Sequence, residues 1–338
     1  MNRLVILAPN WLGDAVMALP AIADVRRASP DASITIAARS AIAPLFGLVP
    51  GIDDTIVLPR RVTLREVQRW RAVGDELAGQ RFDTALLLPN SIHAALAAFR
   101  AGIPERWGYR AAGRGRLLTR GVRRPSGVHQ VDYYRMLVHA LGFPNGPIEP
   151  SVSVPAAARE AAARTLTQAG WDDRTPLVAL APGAAYGGAK RWPPSSFAEL
   201  AGALAADDVR GVMVGSAADS ATGEEVLAAL AGRLGTAPLI NLIGRTDLAM
   251  LAGVLSHCRA LVTNDSGAMH LGAAVGVSVT AVFGPTNEIA TGPLGEAHRV
   301  LLHPVWCRPC MLRECPIDHR CMRGIGVDTV LAAARRTL

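Results

Sequence analysis

The chain has 338 residues, 19% of them charged and 50% hydrophobic, which excludes a disordered protein and gives enough length for two packed domains. Its formal net charge of +7 points to an anionic partner. No apolar run reaches the roughly 18 residues of a membrane helix, and Pro9 breaks the apolar start too early for a signal peptide, so we expect a cytosolic protein.

In the first half of the chain, short apolar runs typical of buried parallel strands alternate with longer helical patterns. The strands are predicted at Leu4–Ala8, Ser33–Ala37, Thr55–Leu58 and Thr84–Leu88. The helices are predicted at Asp14–Ala28, Leu64–Ala78, Ile92–Ala101 and Gln130–Leu141. This alternation predicts a parallel sheet with crossover helices.

A second series of the same kind follows residues 143–150, a linker candidate with three prolines and one glycine. Its strands are predicted at Leu177–Ala181, Gly211–Val214, Ala260–Thr263 and Val279–Phe283. Its helices are predicted at Ala156–Ala169, Ser196–Ala206, Glu224–Leu234, Leu248–Leu255 and Ala268–Val275. We therefore predict an α/β protein with two doubly wound domains, residues 1–150 and 151–338, and a ligand in the cleft between them at the carboxyl ends of the strands.

Positive charge is concentrated in the first domain, which holds 19 arginines against 12 acidic residues, whereas residues 151–338 are balanced. It is densest from Arg100 to Arg124, where Glu105 is the sole acidic residue. This stretch implies a phosphorylated substrate, a membrane surface or nucleic acid, and a solvated basic loop is the alternative. Nucleic acid is disfavoured because aromatic residues make up 5% of the chain and a recognition motif is missing.

The first predicted strand leads into a sharp turn that contains Pro9, Gly13 and Asp14. Pro9 ends the strand, Gly13 lets the backbone pass close to a ligand, and Asp14 falls on the first helical turn. A carboxylate at this place can take a proton from a substrate hydroxyl. The alternative is an acidic residue that the helix dipole favours.

A glycine-rich loop follows the predicted strand Leu177–Ala181 and contains Gly183, Gly188 and Lys190. It fails as a P-loop, because Ala189 stands at the lysine position and no Ser or Thr follows. Lys190 is the one lysine in the chain, against 34 arginines, which favours a need for a compact point charge beside phosphates. Chance survival at the surface is the alternative.

Small polar residues follow two other predicted strands. The Asn-Asp-Ser-Gly segment at 264–267 can cap the next helix, and the first N–H groups of that helix suit a pyrophosphate. The alternative is that these residues cap the helix and bind no ligand. His270 lies one turn into that helix and fits either a ligand or the core. Gly215 and Ser216 form a similar turn.

Four of the five cysteines lie close together in the sequence, Cys307, Cys310, Cys315 and Cys321. Their C-x2-C-x4-C-x5-C spacing fits a structural zinc site, with His319 as a spare ligand. Reduced thiols that pack as small hydrophobes and redox pairing are the alternatives, although a cytosolic chain disfavours disulfides.

Two motifs are absent from the sequence. Without G-x-G-x-x-G, a nicotinamide or flavin enzyme is less expected. Without Asp-x-Asp, a metal-held nucleotide diphosphate has no evident anchor.

Taken together, the motifs from Pro9 to Asp14, Pro182 to Pro193, Asn264 to His270 and Phe283 to Thr286 resemble glycosyltransferase family 9, over nearly the whole chain. The cysteine segment resembles the lipopolysaccharide heptosyltransferases of that family. The resemblance implies a GT-B fold, in which two Rossmann-like domains face each other across a cleft. It also implies an N-terminal acceptor domain, a C-terminal nucleotide-sugar domain and a last helix that packs back on the first domain.

The activity that the resemblance implies is an inverting, metal-independent transfer of heptose. The donor would be ADP-L-glycero-β-D-manno-heptose and the acceptor the first heptose of the lipopolysaccharide inner core, in heptosyl-Kdo2-lipid A. The enzyme would need no cofactor and would lie peripherally on the cytosolic face of the inner membrane. A heptosyltransferase with another acceptor and a non-catalytic nucleotide-sugar-binding protein are the alternatives.

By the same resemblance, Asp14 matches the catalytic base and Lys190 the donor-phosphate lysine. With the turns described above, the predicted donor-binding residues are Gly13, Gly183, Gly188, Gly215, Ser216, Asp265, Ser266, Gly267 and His270, the last without an assigned role. We assign the binding of acceptor phosphates and of the anionic bilayer surface to four arginines, Arg110, Arg114, Arg116 and Arg120. Asn10 departs from the Ser expected before the Trp.

Overall fold

The computed structural model describes residues 1–58, 66–234 and 239–338. They divide into two compact units, Met1–Val152 and Ser153–Leu338. The division follows directly after the proline-containing segment 143–150, where the sequence predicts a linker.

Within its described residues, the first unit holds a six-stranded parallel sheet with the order β3-β2-β1-β4-β5-β6. The strands are β1 Arg3–Leu7, β2 Ser33–Arg39, β3 Asp54–Leu58, β4 Thr84–Leu87, β5 Glu105–Tyr109 and β6 Arg120–Val122. The helices are α1 Leu12–Met17, α2 Leu19–Ala28, α3 Ala43–Phe46, α4 Glu66–Ala78, α5 Ile92–Arg100 and α6 Gln130–Ala140. The four apolar runs predicted as strands correspond to β1 to β4, of which β3 is an edge strand. In such a sheet helices cover both faces and bury the side chains on each face.

The predicted helix Asp14–Ala28 is wrong in one respect, because the structure divides it into α1 and α2 at Ala18. Pro20 stands in the first turn of α2. Proline lacks the N–H that a continuous helix would need at this position, whereas a first turn tolerates it. The first two residues of the predicted helix Leu64–Ala78 lie outside the described residues.

The described part of the second unit repeats this architecture with the parallel order β12-β11-β10-β7-β8-β9. Its strands are β7 Leu177–Ala181, β8 Arg210–Met213, β9 Leu239–Asn241, β10 Cys258–Asn264, β11 Ser278–Phe283 and β12 Arg299–Leu302. Its helices are α7 Ala156–Gln168, α8 Pro194–Ala206, α9 Ser220–Leu234, α10 Leu248–Ser256, α11 Gly267–Val275, α12 Glu288–Thr291, α13 Arg320–Arg323 and α14 Val327–Arg335. Two doubly wound parallel sheets confirm the predicted α/β class.

The last helix, α14, belongs to the second unit. Its apolar residues Val330, Leu331 and Ala334 are buried in the same core cluster as Val178 and Phe197. The Arg335 guanidinium also pairs with Asp207, just after α8, at 2.8 Å. The structure therefore places this helix in the core of the second unit, and the packing on the first domain that the family resemblance implies stays a prediction.

Across the described ranges, none of the helices combines the length and the apolar character that crossing a bilayer requires.

Candidate active site

Lys190 lies at the carboxyl edge of the second sheet, in a nearly buried ion pair with Asp265. Lys190 ends the short 3₁₀ turn Gly188–Lys190 in the loop after β7, and Asp265 follows β10 directly. Because β7 and β10 are neighbours, their carboxyl ends bring the two side chains together. Nζ lies 2.5 Å from Asp265 Oδ2, and 12% and 7% of the two side chains are exposed. Burial removes water from the ammonium group, and the pairing with this carboxylate offsets part of that cost.

Two polar side chains tie neighbouring loops to this ion pair. The Thr286 hydroxyl, after β11, donates to Asp265 Oδ2 at 2.6 Å. Asn264, the last residue of β10, donates to the Pro182 carbonyl at 2.8 Å and accepts from the Trp192 N–H at 2.9 Å. The loops after β7, β10 and β11 are therefore held around one ammonium group. Both residues lie in motifs that the sequence analysis names, but neither is predicted as a site residue, because their partners lie far away along the chain.

Some backbone N–H groups of the glycine-rich loop already donate hydrogen bonds within the protein. The Gly188 N–H donates to Glu314 Oε1 at 3.0 Å, and the Ala189 N–H donates to the Arg313 carbonyl at 2.9 Å. The position of Gly188 therefore does not support the predicted contact between its amide and a donor phosphate, because a carboxylate already accepts that hydrogen.

The predicted residues Gly183, Gly215 and Ser216 surround the carboxylate of Asp219, which sequence reasoning missed. The Ser216 N–H and hydroxyl donate to Asp219 Oδ2 at 2.9 and 2.7 Å, in a capping box before α9. A Cβ at Gly215 would lie 3.2 Å from the same oxygen, and one at Gly183 would collide with the carboxylate. The Ser-x-x-Asp spacing is the sequence signal that identifies this turn.

The helix α11 begins at Gly267, with Ser266 as its N-cap residue. The Ser266 side chain makes no cap hydrogen bond, and its Oγ lies 3.2 Å from Thr263 Oγ1. Capping by this side chain is therefore wrong as an explanation of the motif. His270 is 6% exposed on the same helix, which agrees with the alternative that places its imidazole in the core.

In the first unit, Asp14 lies in the first turn of α1, as predicted, and is half-buried. Gly13 precedes it within the same helix. Burial raises the pKa of the neighbouring Tyr134 phenol, and the negative charge of Asp14 raises it further. The carboxylate therefore stands beside a tyrosine that stays neutral over the whole physiological range.

Comparison with known proteins identifies the family to which this chain belongs. Residues 70–320 match glycosyltransferase family 9 (heptosyltransferase). The chain is 32% identical to lipopolysaccharide heptosyltransferase 2 of Escherichia coli over 308 residues, which cover 88% of this chain and 87% of that protein. The chain belongs to glycosyltransferase family 9. The prediction that it is a glycosyltransferase is therefore confirmed.

Other members of family 9 agree with this assignment. Lipooligosaccharide heptosyltransferase 2 of Haemophilus influenzae is 31% identical over 311 residues, 88% of each chain. The structure described as E. coli ADP-heptose lps heptosyltransferase II superposes with a TM-score of 0.84 at 30% identity, covering 100% of this chain and 98% of that one. The predicted GT-B fold class is thus confirmed.

Of the predicted acceptor arginines of this glycosyltransferase, Arg114 is buried and the other three, Arg110, Arg116 and Arg120, are exposed. The Arg114 side chain is fully buried, and its guanidinium donates to the carbonyls of Tyr109 at 2.9 Å, Pro89 and Ser91 at 3.3 Å. Burial lowers its pKa to about 10, so it still carries its charge at neutral pH. Its position does not support the predicted contact with an acceptor phosphate.

Arg120 is also engaged within the first unit. Its guanidinium donates to the Leu141 carbonyl at 2.9 Å and lies 5.0 Å from the centre of the Trp107 ring. Arg110 and Arg116 are exposed, and acceptor binding by these two stays a prediction.

The four clustered cysteines are unpaired thiols, of which Cys321 is buried and the others are half-buried. Cys315 Sγ accepts the His319 N–H at 3.3 Å, and the Ile317 N–H is the main cause that lowers the pKa of this thiol. In the residues that the structure describes, no three His, Cys, Asp or Glu side chains converge as metal ligands. In these positions the thiols do not form the predicted zinc site. Zinc binding itself stays a prediction, which elemental analysis of purified protein tests.

Proposed function

We propose that this glycosyltransferase moves heptose from ADP-L-glycero-β-D-manno-heptose to the first heptose of the lipopolysaccharide inner core. The relatives that are at least 30% identical over most of the chain are heptosyltransferases 2 of lipopolysaccharide or lipooligosaccharide. Within the chain, the observation that carries the proposal is the Lys190–Asp265 pair, a nearly buried cation at the carboxyl edge of a doubly wound sheet. Ligands of such sheets bind at that edge.

Lys190 is proposed to bind the donor diphosphate. An ammonium group has three N–H donors, and Asp265 accepts one of them. The remaining donors can turn to phosphate oxygens, where the positive charge stabilises the growing negative charge of the ADP leaving group.

Asp14 is proposed as the general base of a single inverting displacement. The acceptor hydroxyl oxygen forms a bond to the anomeric carbon of heptose while the bond from that carbon to ADP breaks. ADP leaves with the bonding electron pair, and the hydroxyl proton passes to the Asp14 carboxylate. A sugar hydroxyl is a weak acid, so the proton moves together with bond formation.

The charge of ADP is neutralised by protein groups in this proposal, so no metal ion and no cofactor are required. The sequence lacks the Asp-x-Asp motif that would hold a metal at a nucleotide diphosphate, and Lys190 supplies positive charge instead. Turnover that is unchanged after exhaustive chelation supports this part. Loss of turnover that a divalent cation restores contradicts it.

The acceptor and the anionic inner membrane are proposed to meet the exposed arginines of the first unit, among them Arg110 and Arg116. The charge excess lies in this unit, and anionic lipid surfaces attract such clusters. The enzyme would then work peripherally on the cytosolic face of that membrane.

One experiment tests the function directly. Purified protein is incubated with ADP-heptose and heptosyl-Kdo2-lipid A, and the lipid is analysed by mass spectrometry. A mass gain of one heptose supports the proposal. ADP release with a different heptose-bearing acceptor indicates another heptosyltransferase, and binding of ADP-heptose without any ADP release indicates a non-catalytic binding protein.

A further inference from the structure

The loop that carries Lys190 is attached to a distant part of the second unit, the segment Met311–Glu314, which we call the docking segment. The Tyr186 hydroxyl donates to the Met311 carbonyl at 2.7 Å. The Ala189 N–H donates to the Arg313 carbonyl at 2.9 Å, and the Gly188 N–H donates to Glu314 Oε1 at 3.0 Å. Three residues of the loop thus form hydrogen bonds with one short segment.

Two glycines allow this close approach. A Cβ at Gly187 would collide with the carbonyl oxygen of Arg313, and a Cβ at Gly188 would lie 2.6 Å from Glu314 Oε2. Such separations are below ordinary van der Waals contact. The glycines of this loop therefore serve its attachment to the docking segment, which explains their presence without a bound phosphate.

Two cations lie over the Tyr186 ring. Lys190 Nζ is 4.7 Å from the ring centre, and Arg313 Cζ is 5.3 Å from it. Both distances are within the range at which the negative face of an aromatic ring attracts a cation. Arg313 thus contacts the loop twice, through its carbonyl and through its guanidinium over this ring.

The ammonium group of Lys190 is therefore held by two different partners. Asp265 Oδ2 accepts one hydrogen bond at 2.5 Å, and the Tyr186 ring attracts the same group at 4.7 Å. Two contacts restrict the ammonium group more than one does. A lysine side chain that is already ordered loses less rotamer entropy when a ligand binds to it.

We propose that Tyr186, anchored by the docking segment, is a positioning residue that orders Lys190 Nζ before a nucleoside diphosphate binds. This inference rests on the proposed donor-binding role of Lys190. Tyr186 acts through the lysine, so its effect on diphosphate binding depends on the presence of that ammonium group. The docking segment, between Cys310 and Cys315, gains a function in donor binding that does not involve its thiols.

The test is a double-mutant cycle read out as the dissociation constant of ADP. Ligand-observed NMR follows the titration, because it measures millimolar affinities in the weakest variants. Tyr186→Leu removes the ring face and is expected to weaken ADP binding about fivefold. Tyr186→Phe keeps the face, loses the hydroxyl anchor and is expected to weaken it about twofold.

The decisive comparison is made in the Lys190→Met background. There, Tyr186→Leu is expected to change ADP affinity by less than about 1.5-fold, because the group that the ring orders is gone. An equal loss in both backgrounds, or no loss beside an intact Lys190, overturns the inference. Trp306→Leu is the matched control, because it removes an exposed aromatic ring outside these contacts and is expected to leave ADP affinity unchanged.

Two measurements distinguish the loss of this contact from damage to the fold or to the whole site. Thermal unfolding of each variant detects a general loss of structure, and Tyr186→Phe provides the conservative comparison if Tyr186→Leu unfolds. Wild-type protein that fails to bind ADP overturns the proposed function and this inference together. Normal ADP binding with a cycle that shows no coupling overturns the inference alone.

Discussion

Asp14 is the residue on which the proposed chemistry depends most directly. Asp14→Asn keeps the shape of the side chain and removes its ability to accept a proton, so turnover is expected to fall about 10²- to 10⁴-fold. ADP-heptose affinity is expected to stay within about twofold, because the proposed contact with the donor diphosphate is made by Lys190, in the second unit. Steady-state kinetics and ADP-heptose titration measure the two quantities.

Asp31→Asn is the matched control for this variant, since Asp31 is exposed in the same unit and has no proposed role. Turnover of Asp14→Asn close to that of Asp31→Asn would remove Asp14 from the mechanism.

Lys190 is expected to tolerate no substitution, including the one that keeps its charge. The ammonium group lies 2.5 Å from Asp265 Oδ2 and 4.7 Å from the centre of the Tyr186 ring. A planar guanidinium is longer and directs its donors in a fixed fork, so Lys190→Arg is expected to lower kcat/KM for ADP-heptose at least about tenfold. Kinetics like those of the wild type would show that a compact point charge is not needed.

The sequence is sufficient to predict which residues at this edge carry charge, and it is insufficient to predict how they pair. Lys190 and Asp265 both follow predicted strands, so each could be assigned to the carboxyl edge. Their ion pair depends on the adjacency of β7 and β10, which local patterns do not encode. The contact between Tyr186 and Arg313 likewise joins segments that no spacing rule connects.

At the scale of secondary structure, the sequence predicts four strands in each unit. It misses β5 and β6 in the first unit and the two edge strands, β9 and β12, in the second. β7, and β1 after its first residue Arg3, are uniform apolar runs because both faces are buried. By contrast, β5 and β6 contain Arg106 and Arg120, so the sequence indicates a basic loop. Arg106 bonds the carbonyls of Leu117 and Ile103, which shows how arginines become structural in this region.

The 3₁₀ helix Arg114–Leu117 contains one structural arginine, Arg114, and one exposed arginine, Arg116. Arg114→Met leaves the carbonyls of Tyr109 and Ser91 without their buried donor, so we expect a loss of about 2–3 kcal/mol in the free energy of unfolding. Arg116→Met, at an exposed side chain, is expected to stay within about 0.5 kcal/mol. Urea denaturation measures both values.

Equal stability of these two variants would contradict the structural role of Arg114. Acceptor kinetics provide a second discrimination, because the proposed acceptor contact belongs to Arg116, whose substitution is expected to raise KM for the lipid acceptor.

For the whole molecule, the charge asymmetry between the units is the property that bears on membrane contact. All of the net positive charge comes from residues 1–150, and part of it is occupied by internal contacts, as at Arg114 and Arg120. The exposed arginines of the basic stretch include Arg110, Arg116, Arg123 and Arg124. These four are the groups that an anionic bilayer can attract at long range.

Replacing these four residues by Gln is expected to weaken binding to phosphatidylglycerol-containing vesicles at least about 100-fold, since each arginine near such a surface contributes about 1 kcal/mol. Cosedimentation measures the binding, which should also fall as salt shortens the Debye length. The control carries four Arg→Gln changes at exposed positions of the second unit, Arg159, Arg174, Arg259 and Arg336. Equal loss in both variants would indicate attraction by net charge alone, and vesicle binding that resists salt and both sets of substitutions would refute an electrostatic membrane contact of the first unit.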